Sequence, residues 1–149
     1  MTRIDFYILS SSPAEQRIQV TCKIVQKAFR AGHNIYIHCD DPSMASTVDE
    51  HLWQYPPYRF IPHTVYTNQQ NESNQHDRIG IGCHEAPDQH HDVLVLLSHD
   101  MLPSFSRFER VIEVVSQAPD VLETTRKRYH FYQQRHYPLH THKLTTNSA

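Results

Sequence analysis

Apolar residues fall in short blocks along this chain, and the blocks alternate between two spacings. The run Ile4-Asp5-Phe6-Tyr7-Ile8-Leu9 is nearly continuous, the pattern of a strand covered on both faces. Ser10-Ser11-Ser12-Pro13 follows and reads as a helix start, with a serine for the cap and proline in the first turn. The next segment places Ile18, Cys22, Val25 and Phe29 on one stripe and is closed by Gly32, which predicts an amphipathic helix. Ile35 to Cys39 predicts a second strand. Asp41-Pro42 then caps a second helix that runs through Met44, Val48 and Leu52 and ends near Trp53.

Beyond it lies a loop of prolines and aromatics, residues 55–63, followed by the polar segment 67–77, which reads as an exposed excursion. Residues 79–82 and 93–97 predict two further buried strands, 103–108 a short helical turn, and the β-branched run 111–115 another strand. A last helix is expected from about Pro119 to Arg135. Residues 139–144 alternate as an edge strand does, and 145–149 read as a disordered tail. Strand and helix thus alternate from end to end. The pattern predicts an α/β fold with a mostly parallel central sheet and helices on both faces. No repeat or linker divides the chain, so residues 1–149 are expected to form one domain.

Composition changes this picture little. An apolar fraction of 38% arranged in blocks is globular rather than disordered, and no stretch approaches the roughly 20 apolar residues of a membrane span. The opening MTRIDFYILSSS is too soon broken for a signal peptide. Cys22, Cys39 and Cys83 cannot all pair and form no CxxC, so a reducing cytoplasm is the expected setting. The chain has 13 histidines. Cys83-His84 and His90-His91 flank a loop. His140 and His142 sit two apart on a predicted strand, where alternate side chains can chelate a metal; the favoured reading is solvated histidines and no metal.

Catalytic motifs are missing where such a sheet usually carries them. The first strand-to-helix turn, Leu9 to Glu15, has no glycine, and the chain holds only Gly32, Gly80 and Gly82. Residues 79–82 (IGIG) lack a third glycine and a following helix, so no nucleotide cradle and no cofactor are expected. GxSxG and HExxH are also absent. Asp40-Asp41, at the end of the second predicted strand, is the best acidic pair. It could hold Mg²⁺ in a metal-dependent phosphohydrolase, with His99 and Asp100 nearby as acid–base candidates. The alternative is that Asp41 caps the next helix while Asp40 fills the turn.

Charge singles out the C-terminal end. The formal net charge is −2, yet no acidic residue follows Glu123, while Arg126, Lys127, Arg128, Arg135 and Lys143 do. Aromatics stand between them at Tyr129, Phe131, Tyr132 and Tyr137. At 100° per residue, Arg126, Tyr129, His130 and Gln133 share one face of the last helix, and Val121, Thr125 and Tyr132 share the stripe toward the sheet. Arg126 and Tyr129 would then form a shallow pocket with a cationic rim, suited to a carboxylate beside an apolar group, such as a partner's C-terminus. An ordinary solvated helix face is the competing reading. Direct binding to a single nucleic-acid strand is another, expected to be weak for so few cations. The aromatic loop with Trp53 and Phe60 is either a protein interface or the closure of the core.

In its order of motifs the chain resembles the chi subunit family of bacterial DNA polymerase III. The likeness is carried by FYIL at 6–9, AGHNIYIHCDD at 31–41, DEHLWQYPPYRFIPH at 49–63, DVLVLLS at 92–98, FERVIEVV at 108–115 and RKRYHFYQQRHYPLHTHKL at 126–144. The resemblance implies a Rossmann-like three-layer sandwich that binds no nucleotide. It also implies a non-catalytic accessory subunit of the polymerase III holoenzyme with two partners. One is psi, the small subunit linking chi to the clamp loader. The other is the acidic C-terminal tail of single-stranded-DNA-binding protein, which ends in phenylalanine. Carried over by motif, Arg126, Arg128, Tyr129 and His130 fall where the family holds the tail. Trp53, Phe60, Pro62 and His63 fall on its psi-facing surface. Lysine is common in the family where this chain has His130.

Overall fold

The computed structural model describes residues 2–54, 63–66, 78–86 and 90–144. The polar segment 67–77, the tail 145–149, and Phe60 and Pro62 lie outside the described residues. The elements run β1 (Arg3–Ile8), α1 (Ala14–Arg30), β2 (Ile35–His38), α2 (Pro42–Gln54), β3 (Thr64–Val65), β4 (Ile79–Gly82) and β5 (Val93–Leu96). A 3-10 turn (Phe105–Arg107), β6 (Arg110–Val115), α3 (Pro119–Gln134) and β7 (Leu139–Lys143) complete them. The strands form one sheet in the order β3-β4-β2-β5-β6-β1-β7, and every pairing is parallel.

Two apolar layers sandwich this sheet, as expected of a Rossmann-like α/β fold. On one face Ile18, Cys22 and Val25 of α1 and Val48 and Leu52 of α2 pack on Ile35, Ile37, Ile79, Ile81, Val95 and Ile112. On the other, Val121 and Tyr132 of α3 and Phe105 of the 3-10 turn pack on Ile4, Phe6, Tyr36, Leu94 and Val111. Burial of these side chains, each contributing about 1.5–3 kcal/mol, drives the layering. The IGIG strand belongs to this packing. A Cβ on Gly80 would lie 2.6 Å from the Tyr66 ring, and one on Gly82 would lie 2.4 Å from the Tyr36 hydroxyl. The glycines let two tyrosines lie flat across β4.

The start of α1 corrects the sequence reading. Pro13 itself is the cap residue, extended at φ −60 and ψ 136, and no side chain caps the helix. The Gln16 amide donates to the Pro13 carbonyl instead. The C-terminus follows expectation. Gly32 has φ +96, His33 N donates to Ala28 O and Gly32 N to Phe29 O, a Schellman closure. Asp41 takes the capping role, its Oδ1 accepting from the Met44 amide at 2.8 Å. The two-residue strand β3 was not anticipated; so short a run carries no periodicity.

Candidate functional site

α3 starts where Ala118 is extended and Pro119 enters the first turn, its missing N–H costing nothing there. The stripe toward the sheet contains Val121, Thr125, Arg128 and Tyr132, spaced i, i+4, i+7 and i+11. Val121, Arg128 and Tyr132 are buried. Arg128 faces Glu113 in the middle of β6, which is 1% exposed. Its Nε and Nη2 donate to the two Glu113 oxygens at 2.8 and 2.7 Å, and Nη1 donates to the carbonyls of Ser98 and His99. Tyr132 Oη donates to the same carboxylate at 2.7 Å. Burial opposes the charge on Arg128, but Glu113 outweighs it and raises the guanidinium pKa. Burial, then Glu113, push the Tyr132 hydroxyl well above its ordinary value. This fork-to-fork pair fixes how α3 is rotated on the sheet.

That rotation decides what α3 shows to solvent. Arg126, Lys127, His130 and Gln133 are exposed. Tyr129 is 39% exposed, with its ring tilted onto the buried Phe6 ring at 5.3 Å between centroids. The outer face thus carries a supported aromatic ring, with Arg126 and His130 at neighbouring exposed positions. Neither of these two has a hydrogen-bond or ion-pair partner among the described residues. Of the four residues expected to hold a peptide tail, the structure brings Arg126, Tyr129 and His130 together on one surface. Arg128 lies beneath them, its guanidinium turned to Glu113. The sequence reading missed Glu113, although a lone acid inside VIEVV opposite an arginine on the inward helical stripe is a legible signal.

A second polar junction ties α3 to β2. The His99 amide and Nδ1 donate to Asp40 at 2.6 and 2.8 Å, and Nε2 faces Asp120 at 3.1 Å. Hydrogen bonds to Asp40 and then Asp120 raise the His99 pKa, and His99 in turn lowers that of Asp120. Asp40 and Asp41 therefore do not converge on one point: Asp40 turns to His99 and Asp41 to the α2 amides. The cleft at the C-terminal ends of β2, β4 and β5, about 220 Å³, is lined by Asp40, Glu85 and Asp100. Without a bound cation, three carboxylates repel a phosphate.

On the far side of the sheet, Trp53 projects from the last turn of α2 at 47% exposure. Its ring lies 4.6 Å from that of His63, which meets Asp49 through Nε2 at 2.8 Å. Trp53 and His63 are thus brought together, beside the exposed Val65 of β3.

Comparison with known proteins gives this geometry its context. Residues 1–140 match a family model described as DNA polymerase III chi subunit, HolC. The chain is 34% identical over 144 residues to the DNA polymerase III subunit chi of Pseudomonas aeruginosa, covering 97% of this chain and 98% of that protein. It is 25% identical over 150 residues to the Escherichia coli K12 protein of the same name, covering 95% and 97%. Among solved structures, T4 UvsW superposes with a TM-score of 0.67 over 97% of this chain and 42% of that one. At 9% identity that likeness concerns the fold alone.

Proposed function

The chain belongs to the DNA polymerase III chi subunit family, and from that premise we propose that it is a non-catalytic bridge in replication. One surface holds the psi subunit, and through it the clamp loader. The other binds the C-terminal tail of single-stranded-DNA-binding protein and tethers the polymerase to coated template. The observation that carries the tail half is the Tyr129 ring, seated on Phe6, with Arg126 and His130 exposed at neighbouring positions of α3. A ring ending an acidic peptide would stack against Tyr129 while its carboxylates meet the cations. Arg128 acts as a positioning residue, holding α3 through Glu113. Trp53, with Phe60 and Pro62 further along the chain, is the proposed psi contact, and His63, expected on the same surface, has its side chain buried and acts by supporting the Trp53 ring.

Few side chains are buried by such a tail and the peptide must become ordered, so a Kd on the order of micromolar is expected. Titration of the protein with a fluorescent acidic peptide ending in phenylalanine tests the reading. Binding should weaken with salt, vanish when the last residue is removed, and fall about tenfold or more in Arg126→Ala and Tyr129→Ala while both variants stay folded. Unchanged affinity in both variants would sink the assignment of this face. Equal binding of the truncated peptide would leave a general anion surface, on which direct DNA contact becomes the reading to test.

A further inference from the structure

One of the two strand-spaced histidines has the surroundings of a metal ligand. β7 pairs with β1 in a register that sets His140 beside Asp5 and His142 beside Tyr7. The Asp5 side chain is fully buried and is met by Arg3, Arg110 and, at 2.9 Å, His142 Nε2. An ionised carboxylate that holds Nε2 as N–H leaves the lone pair on Nδ1 and fixes the ring. Histidine ligands are commonly oriented by such a carboxylate. Tyr7, stacked on the ring at 4.5 Å, fixes its plane further. His140 is exposed and makes no hydrogen bond to the described residues. Two imidazoles are half of a tetrahedral site. No three ligating side chains gather among the described residues of one chain.

Among the described residues no strand pairs with the outer edge of β7, and that edge can supply the other half. Ile4 N donates to Pro138 O, and Leu144 N donates to Ile8 O. The even-numbered residues of β7 therefore turn their backbone groups toward β1, while Leu139, Thr141 and Lys143 turn theirs outward. A second copy laid antiparallel, Thr141 opposite Thr141, satisfies every one of these outward N–H and C=O groups. In that register His140 faces the second copy's His142 across a non-hydrogen-bonded pair, where Cα atoms approach to about 4.5 Å. Both such pairs project from one face of the joined sheet. Leu139 meets Lys143, so no like charges are opposed. Moving the register by one pair brings at most two imidazoles opposite one another, His140 to His140 or His142 to His142, instead of all four. We propose that β7 is a metal-gated edge: a divalent ion of the zinc class, held by His140 and His142 of two copies, joins their sheets into a dimer. Without the ion, a strand of five residues ending in Lys143 is a poor template for pairing.

Sedimentation velocity of the untagged chain with ZnCl2, and again after EDTA, tests this. The expected result is a doubled mass at one Zn²⁺ per two chains, reversed by the chelator. His140→Ala should stay monomeric, and it removes no hydrogen bond or ion pair among the described residues. Thr141→Glu should also stay monomeric; it keeps both histidines but opposes two carboxylates at the symmetry axis. Circular dichroism checks that both variants fold. A monomer at every Zn²⁺ concentration would overturn the proposal. So would a zinc dimer that persists in His140→Ala, or one that survives Thr141→Glu, since histidines elsewhere or another surface would then hold it.

Discussion

His90 shows how much a single buried side chain can set the response of the molecule to acid. It is 1% exposed, packed among Tyr36, Tyr66 and Gly80, and neither ring nitrogen has a hydrogen-bond partner among the described residues. Burial, and then the nearby Arg107, push its pKa down to about 4. Asp92 works weakly the other way, and His91 adds to the depression. In the unfolded chain the imidazole returns to about 6.5, so the unfolded state takes up the proton first as pH falls. Stability from neutral His90 is therefore complete above about pH 6.5 and is lost progressively down to about pH 4, by about 3 kcal/mol at most. His99 runs the opposite way. Its raised pKa contributes stability below about 6.5 that fades as pH rises through the folded value, but its side chain is 47% exposed and screened. The lowered carboxyls of Asp5 and Asp120 act below about pH 4, outside this window. Thermal melts between pH 4 and 8 should show Tm falling below pH 6.5. His90→Leu should flatten that limb without loss at pH 8, because an unpartnered polar group is replaced by an apolar one. An acid limb of unchanged slope in His90→Leu would assign the effect to other groups.

At the scale of elements, the two long helices end in the same way with different residues. α3 closes as α1 does: Tyr137 N donates to Tyr132 O and His136 N to Gln133 O. The left-handed position is His136, at φ 63, where α1 has Gly32. A side chain there costs about 1–2 kcal/mol, offset in part by the greater chain entropy that glycine loses on folding. His136→Gly is thus expected to stabilise by about 0.5–1 kcal/mol, read as a higher urea midpoint at constant slope. A lower midpoint would mean that the imidazole makes a compensating contact. The same contrast shows what was legible beforehand. α1, β2, β5 and β7 were readable because apolar spacing and Gly32 or Asp41 punctuation agree. The alternation of strand and helix gave the layers, and the inward stripe gave Val121 and Tyr132. Arg128 was assigned to the tail by the family motif, whereas its position on the Val121–Tyr132 stripe points its guanidinium inward to Glu113. The cap of α1 went to Pro13 rather than a serine. β3 carries too few residues for any period to show. That Tyr129 can pack inward and still show its ring follows from its place at the border of the two stripes, but its partner Phe6 was not legible, since the two lie far apart in the chain.

For the whole molecule, the sheet order sets how far apart the two proposed surfaces lie. Trp53 ends α2, which packs along β3 and β4 at one edge. Tyr129 rests on Phe6 of β1, next to the opposite edge and in the other helical layer. Five strand spacings separate β3 from β1, about 24 Å at the usual interval. The central strands between them are mostly apolar and closely packed. Sites so distant that share no partner residue behave additively, within about 0.5 kcal/mol. A bridge built this way transmits position rather than allostery: psi on one edge should leave the tail pocket as it is. The tail peptide is therefore expected to bind with the same Kd, within about twofold, whether or not psi is bound. Trp53→Ala should weaken psi binding and leave tail binding unchanged, while Tyr129→Ala should do the reverse. Calorimetric titrations of peptide into the free protein and into the psi complex measure this directly. A shift in tail affinity of tenfold on adding psi would show that the sheet couples its two edges, and loss of tail binding in the complex would show that the two partners compete for one surface.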